Sequence, residues 1–189
     1  MPTIVHEFAW PDRVIVGTVG RVGDRTFYLQ VSAGNRSVSV ALEKGQSALL
    51  AEKIDEILDE LMTTSGNPFS IPTATPVELV DNEPLAQPVD EEFRTGAMSL
   101  GWDSSTAQIV IEVYPMLDQD DADDDIAENA ADSAPAEPTE VLLVRMPVGT
   151  ARAFAKRTRE IVGAGRPLCP FCANPMDSTG HECTLPAGL

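Results

Sequence analysis

The sequence is poor in aromatic residues and in bases, and it contains no long apolar run. Phe, Trp and Tyr make up 5% of its 189 residues, and 13 Lys and Arg stand against 30 Asp and Glu, a net charge of −17. This acidity disfavours nucleic acid and anionic membrane surfaces as partners, because both are negatively charged. No apolar run approaches the roughly 20 residues of a membrane helix, and the first residues lack the basic and apolar blocks of a signal peptide. We therefore expect a cytoplasmic protein with no membrane partner.

Histidine and cysteine are also scarce, with two and three residues respectively. An enzyme needs a nucleophile or an acid–base constellation, but His181 belongs to the metal site predicted below and His6 stands alone. Gly17, Gly20 and Gly23 lie in and after a predicted strand, whereas a phosphate-binding loop precedes a helix. The sequence thus assigns no catalytic residue and no organic cofactor, and it favours a protein that is not an enzyme.

The acidity is concentrated in two segments. Residues 76–92 contain six acids and no base, and residues 117–138 contain nine acids and no base. Prolines recur through residues 65–88 and prevent regular helix or central strand. The second segment has too few large apolar residues to offset the entropy of ordering. We expect both segments to be disordered, the first as a linker and the second as a solvated insertion.

The rest of the chain contains one pattern of alternation and helical spacing twice. Arg36–Leu42 and Glu140–Met146 alternate apolar and polar residues, as a half-buried strand does. Each is followed by an apolar helical stripe, Leu50–Leu58 and Phe154–Val162, at the same offset. Two further strand patterns precede each of these strands. The sequence predicts an α+β fold of two β-β-β-α repeats, each an antiparallel sheet with a helix.

The predicted organisation has four parts: a first β-β-β-α unit at residues 1–64, a proline-rich acidic linker at 65–92, a second unit at 93–163 that contains the insertion 117–138, and a metal-binding tail at 164–189. The first predicted helix is acidic and the second is basic. The two helices could attract each other, the acidic insertion could cover the basic helix, or both could be solvated surfaces.

The tail contains all three cysteines. Cys169, Cys172, His181 and Cys183 have the spacing C-x2-C-x8-H-x-C, which provides the four ligands of a tetrahedral zinc site. A thioredoxin-like redox pair is disfavoured because Pro175 and the absence of an apolar stripe argue against a helix after the motif. An iron–sulfur cluster is disfavoured too, because such clusters usually take four cysteines and the chain has three. Four protein ligands leave no open position, so the sequence predicts one structural Zn²⁺ per chain and a small zinc knuckle.

Several motifs together resemble a known family. They are His6-Glu7-Phe8 near the start, Arg25–Gln30, Ala97–Asp103 in the middle, and Gly165–Cys172 followed by Gly180–Cys183 at the end. They are similar to an uncharacterised actinobacterial family whose members are labelled as repeat proteins or as a domain of unknown function. The resemblance covers nearly the whole chain apart from the insertion. It implies a cytoplasmic bacterial protein with a zinc-ribbon-like C-terminus and no established activity.

These observations favour a non-catalytic adaptor or regulatory protein that binds another protein and contains a structural zinc. One alternative is a zinc-dependent nucleic-acid-binding module, and a second is an enzyme with an unrecognised site. The basic face of the nucleic-acid module would consist of Arg152, Lys156, Arg157, Arg159 and Arg166. Scarce aromatic residues and the acidic segments count against it, because single-stranded nucleic acid is bound by stacking and by positive charge.

Overall fold

Within the described part of the chain, alternating apolar residues form seven strands, and two apolar stripes form two helices. The computed structural model describes residues 3–116 and 139–165. In chain order the elements are β1 (Ile4–Phe8), β2 (Arg13–Arg21), β3 (Asp24–Ala33), β4 (Arg36–Leu42), α1 (Lys44–Met62), a three-residue 3-10 helix (Val77–Leu79), β5 (Glu91–Asp103), β6 (Gln108–Pro115), β7 (Glu140–Pro147) and α2 (Val148–Gly163).

All seven strands belong to one sheet, in the order β1-β7-β6-β5-β4-β3-β2. The β1–β7 and β4–β5 pairs are parallel, and the other four pairs are antiparallel. The prediction of two β-β-β-α repeats with antiparallel sheets is therefore wrong, because the strands form a single mixed sheet. A three-stranded sheet leaves an unpaired edge, and here the edge strand β4 pairs with β5. This parallel pairing requires a long crossover, which α1 and residues 63–90 supply.

The sheet curls so that its two edges approach each other. Only residues 9–12 connect β1 at one edge to β2 at the other. That connection spans at most about 17 Å, whereas a flat seven-stranded sheet is about 29 Å wide. Contacts between β1 and the start of β4 fit this geometry. The Arg36 guanidinium lies 4.5 Å from the centre of the Phe8 ring and donates to the Glu7 carbonyl at 3.1 Å.

The hydrophobic core lies between one face of the sheet and the two helices. Leu29 of β3 and Ile111 of β6 are fully buried there, together with Ile54 of α1 and Phe154 of α2. The helices pack against each other, and Arg152 of α2 joins them through ion pairs with acids of α1. Of the three alternatives given for the acidic and the basic helix, the structure shows the first, in which the two helices attract each other.

The predicted linker is folded against the sheet, so the expectation that it is disordered is wrong. The side chains of Ile71 and Leu85 are 2% and 5% exposed. Gln30 of β3 donates to the Ala86 carbonyl at 3.1 Å and accepts from the Ala86 amide at 2.8 Å. Because the Gln30 side chain lies on the face opposite the helices, residues 80–90 cover that face of β2–β4, and we call them the strap. Prolines prevent regular structure here but not packing.

Gly17 marks the closest approach of the strap to the sheet. A Cβ atom built at Gly17 would lie 2.5 Å from the Leu85 Cγ atom. Because glycine has no Cβ atom, the Leu85 side chain can pack directly on the backbone of β2 at this position.

Two of the predicted features fall outside the described residues. They are the acidic insertion 117–138 and, at residues 166–189, the zinc knuckle with Cys169, Cys172, His181, Cys183 and Arg166. Within residues 3–116 and 139–165, neither helix combines the length and the apolar character needed to cross a membrane.

Candidate functional site

The two edges of the sheet have different surroundings. At the β2 edge, helix α2 lies along the strand, and Arg157 Nε donates to the Val16 carbonyl at 3.3 Å. The strap reaches the same edge, where Arg13 and Arg157 bind it. A helix, a loop and a buried guanidinium therefore cover β2, which is one way in which proteins protect an edge from pairing with another chain.

Asp81 of the strap is the centre of an ion-pair network at the β2 edge. Its carboxylate accepts from Arg13 Nε at 2.5 Å and from Arg157 Nη1 at 3.0 Å. The hydrogen bond from Arg13 lowers the pKa of Asp81, while burial lowers the pKa of Arg157. Arg157 also donates to the carbonyls of Asp81 and Glu83. The network fixes the strap to β2 and α2.

A cavity of about 200 Å³ lies beside this network and is lined by residues of β2, the strap and α2, including Val14, Val80 and Phe154. Its two cationic lining residues, Arg13 and Arg157, both bind Asp81. The positive groups of the cavity wall are therefore already paired.

The residues of the predicted basic face point in different directions. Arg152 is 6% exposed and donates to Asp55 and Asp59, each at 2.7 Å. Arg159 also pairs with Asp55. Arg157 is buried at the β2 edge, and the exposed Lys156 pairs with Glu160 at 3.2 Å. The structure brings Arg152 and Arg159 together, but on an acidic patch of α1.

Among the described residues, the outer edge of β1 pairs with no other strand, although its Glu7 carbonyl accepts a hydrogen bond from Arg36 at 3.1 Å. Ile4 donates its amide to the Thr139 carbonyl at 3.0 Å, and the parallel register aligns His6 with Leu142. In a parallel ladder alternate residues bond the same neighbour, so Val5 and Glu7 direct their backbone groups away from β7. Within the described part of the chain, β7 is the only strand that pairs with β1. The residues Ile4 and Val5 are 58% and 53% exposed.

A cluster of metal-ligating side chains lies beside this open edge. His6 Nε2 of β1 is 2.6 Å from Glu140 Oε1 of β7 and 3.8 Å from Glu92 Oε1 of β5. One ligand atom from each residue lies within 4.8 Å of the other two. These three side chains, which we call the His6 cluster, come from three strands and include one imidazole and two carboxylates.

Sequence reasoning missed the His6 cluster. It treated His6 as an isolated histidine and placed Glu92 in a linker. The three residues are far apart in the chain, and no spacing motif connects them, because the sheet order alone brings their strands together. No sequence signal pointed to the cluster, since His6 and Glu92 both lay outside the strands that alternation predicted.

A second cluster of charged side chains lies on the sheet face opposite the helices. Arg145 of β7 pairs with Asp103 at 3.2 Å and approaches Glu7 at 3.9 Å. Hydrogen bonds from Ser105 lower the pKa of Asp103. The open face around β1 therefore combines exposed apolar side chains with acidic groups.

A family model described as "Protein of unknown function (DUF3090)" matches residues 6–183. The searches of curated proteins and of solved structures found no match.

Proposed function

The chain belongs to the DUF3090 family of proteins of unknown function, and we propose that it is a non-catalytic adaptor or regulatory protein that binds a partner protein through β1. The partner would add an extended segment to the open edge of the sheet. Strand addition of this kind obtains affinity from main-chain hydrogen bonds and specificity from the neighbouring side chains.

The contrast between the two sheet edges carries this proposal. The β2 edge is covered by α2 and the strap, with Arg157 bound to a β2 carbonyl. The β1 edge has outward-directed backbone groups at Val5 and exposed apolar side chains at Ile4 and Val5. Proteins usually protect such an edge, and among the described residues Arg36 binds the edge only at the Glu7 carbonyl, so the part around Val5 supports a binding site there.

The chemistry around β1 indicates the kind of partner. Ile4 and Val5 offer apolar contact on opposite faces of the strand, and Glu7 lies nearby with a side chain that is 54% exposed. We expect a partner segment with an apolar residue flanked by Lys or Arg, because complementary charge increases the association rate and excludes acidic competitors.

The test is the substitution Val5→Pro, with Val5→Thr as its control. Proline removes the amide that faces outward but leaves the hydrogen bonds between β1 and β7 intact, whereas threonine retains that amide. Proteins captured from cell extract by the unaltered chain and by Val5→Thr should be lost with Val5→Pro. If all three chains capture the same proteins, or none captures any specific protein, the proposal is wrong.

The proposal includes a structural zinc bound by Cys169, Cys172, His181 and Cys183 in a cytoplasmic protein. The support is the ligand set and its spacing, together with the reducing conditions that keep cytoplasmic thiols free. The substitutions Cys169→Ser and Cys172→Ser together should reduce the zinc content of the purified chain by about one equivalent, as measured by elemental analysis. An unchanged zinc content would contradict this part of the proposal.

The nucleic-acid alternative has little support among the described residues. Arg152 and Arg157 are buried and bound to carboxylates or carbonyls of the chain itself, so they are not available to phosphate groups. Acidic side chains surround Arg159, which further disfavours a polyanion.

A further inference from the structure

We propose that the His6 cluster binds a divalent transition-metal ion of the zinc class, at a site separate from the cysteine ligands of the tail. This inference goes beyond the adaptor function and does not depend on it. The site would consist of His6 Nε2 and one carboxylate oxygen each from Glu92 and Glu140.

The distances fit coordination after small side-chain rotations. Zinc bonds nitrogen and oxygen at about 2.0–2.2 Å, so neighbouring ligand atoms in a tetrahedron lie about 3.3 Å apart. The Nε2–Oε1 distances of 2.6 Å to Glu140 and 3.8 Å to Glu92 lie on either side of this value. One pair must separate slightly and the other must approach, without movement of the strands.

Charge distinguishes this cluster from the partly buried carboxylates that have a basic partner. Asp55, Asp81 and Asp103 each contact an arginine. Within residues 3–116 and 139–165, Glu92 and Glu140 have no Lys or Arg within ion-pair distance, and they share one imidazole. A divalent cation supplies the two positive charges that these two carboxylates lack.

The surroundings suit a bound ion. The side chains of His6 and Glu140 are 14% and 18% exposed, while that of Glu92 is 42% exposed, so the cluster is partly desolvated but open on one side. Three protein ligands leave a fourth position for water. In the bound state the neutral His6 ring would hold its proton on Nδ1 and offer the Nε2 lone pair to the ion, and any second ring proton would be released to water.

The experiment uses the full chain with Cys169, Cys172 and Cys183 replaced by serine, which removes the thiolate ligands of the tail. Zn²⁺ is titrated into this metal-free chain and followed by calorimetry. We expect one equivalent to bind. Both Glu92→Gln and Glu140→Gln should weaken binding by about tenfold or more, because even residues that only support metal ligands account for 10–100-fold in affinity.

Glu91→Gln is the matched control. It changes the neighbouring carboxylate on the same strand, which accepts a hydrogen bond from Tyr28 at 3.1 Å, and should leave Zn²⁺ affinity unchanged. Circular dichroism without metal checks that every variant is folded. Absence of binding, or equal affinity of the parent and both glutamine variants, overturns the proposal. Val5→Pro should bind Zn²⁺ normally, so failure of the adaptor function and failure of the metal site are distinguishable.

Discussion

At the scale of single residues, Asp81 connects the strap to the rest of the molecule. Its folded-state pKa is lower than its ordinary value, chiefly because Arg13 donates to it. A lowered carboxyl pKa contributes stability that is fully present above the pKa of the unfolded chain, and this stability is lost as the pH falls through the folded-state pKa. The ion pairs of Asp81 should therefore stabilise the protein at neutral pH, and this stabilisation should be lost in acid when the carboxylate is protonated.

Asp81→Asn should destabilise the chain by about 2 kcal/mol at pH 7, since it removes the charge that Arg13 and Arg157 bind. The difference from the unaltered chain should shrink as the pH falls below about 4. Urea unfolding at both pH values measures this, with the exposed Glu78→Gln as the control in the same segment. A difference that is independent of pH would exclude the ionic explanation.

At the scale of elements, the contact between α1 and α2 depends on the buried guanidinium of Arg152. Arg152→Ala should cost about 3 kcal/mol, because it removes the hydrogen-bonded partner of the largely buried Asp55 and leaves that carboxylate only the exposed Arg159. Lys156→Ala, which removes an exposed pair on the same helix, should cost less than about 1 kcal/mol. Chemical denaturation of the two variants gives the comparison, and similar losses for both would be inconsistent with a buried ion pair.

A second prediction at this scale concerns the packing of the strap on β2. Gly17→Ala should destabilise by about 1–3 kcal/mol, because its Cβ would collide with Leu85. In the background of Leu85→Ala the same change should cost much less, since the colliding atoms are absent. A double-mutant cycle measures this coupling. Strictly additive effects would show that the strap does not rest on Gly17.

At the scale of the whole molecule, local pattern and sheet topology were not equally predictable. Alternation at Arg36–Leu42 and Glu140–Met146 placed β4 and β7, and helical spacing placed α1 and α2, because these signals lie within a few residues. The pairing of β4 with β5 depends on which edges meet, and no local signal encodes it. The His6 cluster was unpredictable for the same reason, because its residues meet only through the sheet order. The packing of the predicted linker was missed because Ile71 and Leu85 are isolated apolar residues among prolines and acids.

A continuous sheet predicts that the two halves of the chain unfold together. The chain has two tryptophans, Trp10 between β1 and β2 and Trp102 in β5. The variants Trp10→Phe and Trp102→Phe therefore each leave one fluorescence probe. Both probes and far-ultraviolet circular dichroism should give the same denaturation midpoint within each variant. Separate transitions would indicate two independent units.

The parallel pairing of β1 with β7 also has a consequence during translation. The ribosome makes β1 first, yet the partner strand of β1 begins only at Glu140. At about 5–20 residues per second, the nascent chain grows for roughly 7–27 s before that partner exists. A product that terminates before residue 139 leaves β1 without its partner and exposes one edge of β6, and unpaired edges are the kind of surface that chaperones and aggregates recognise.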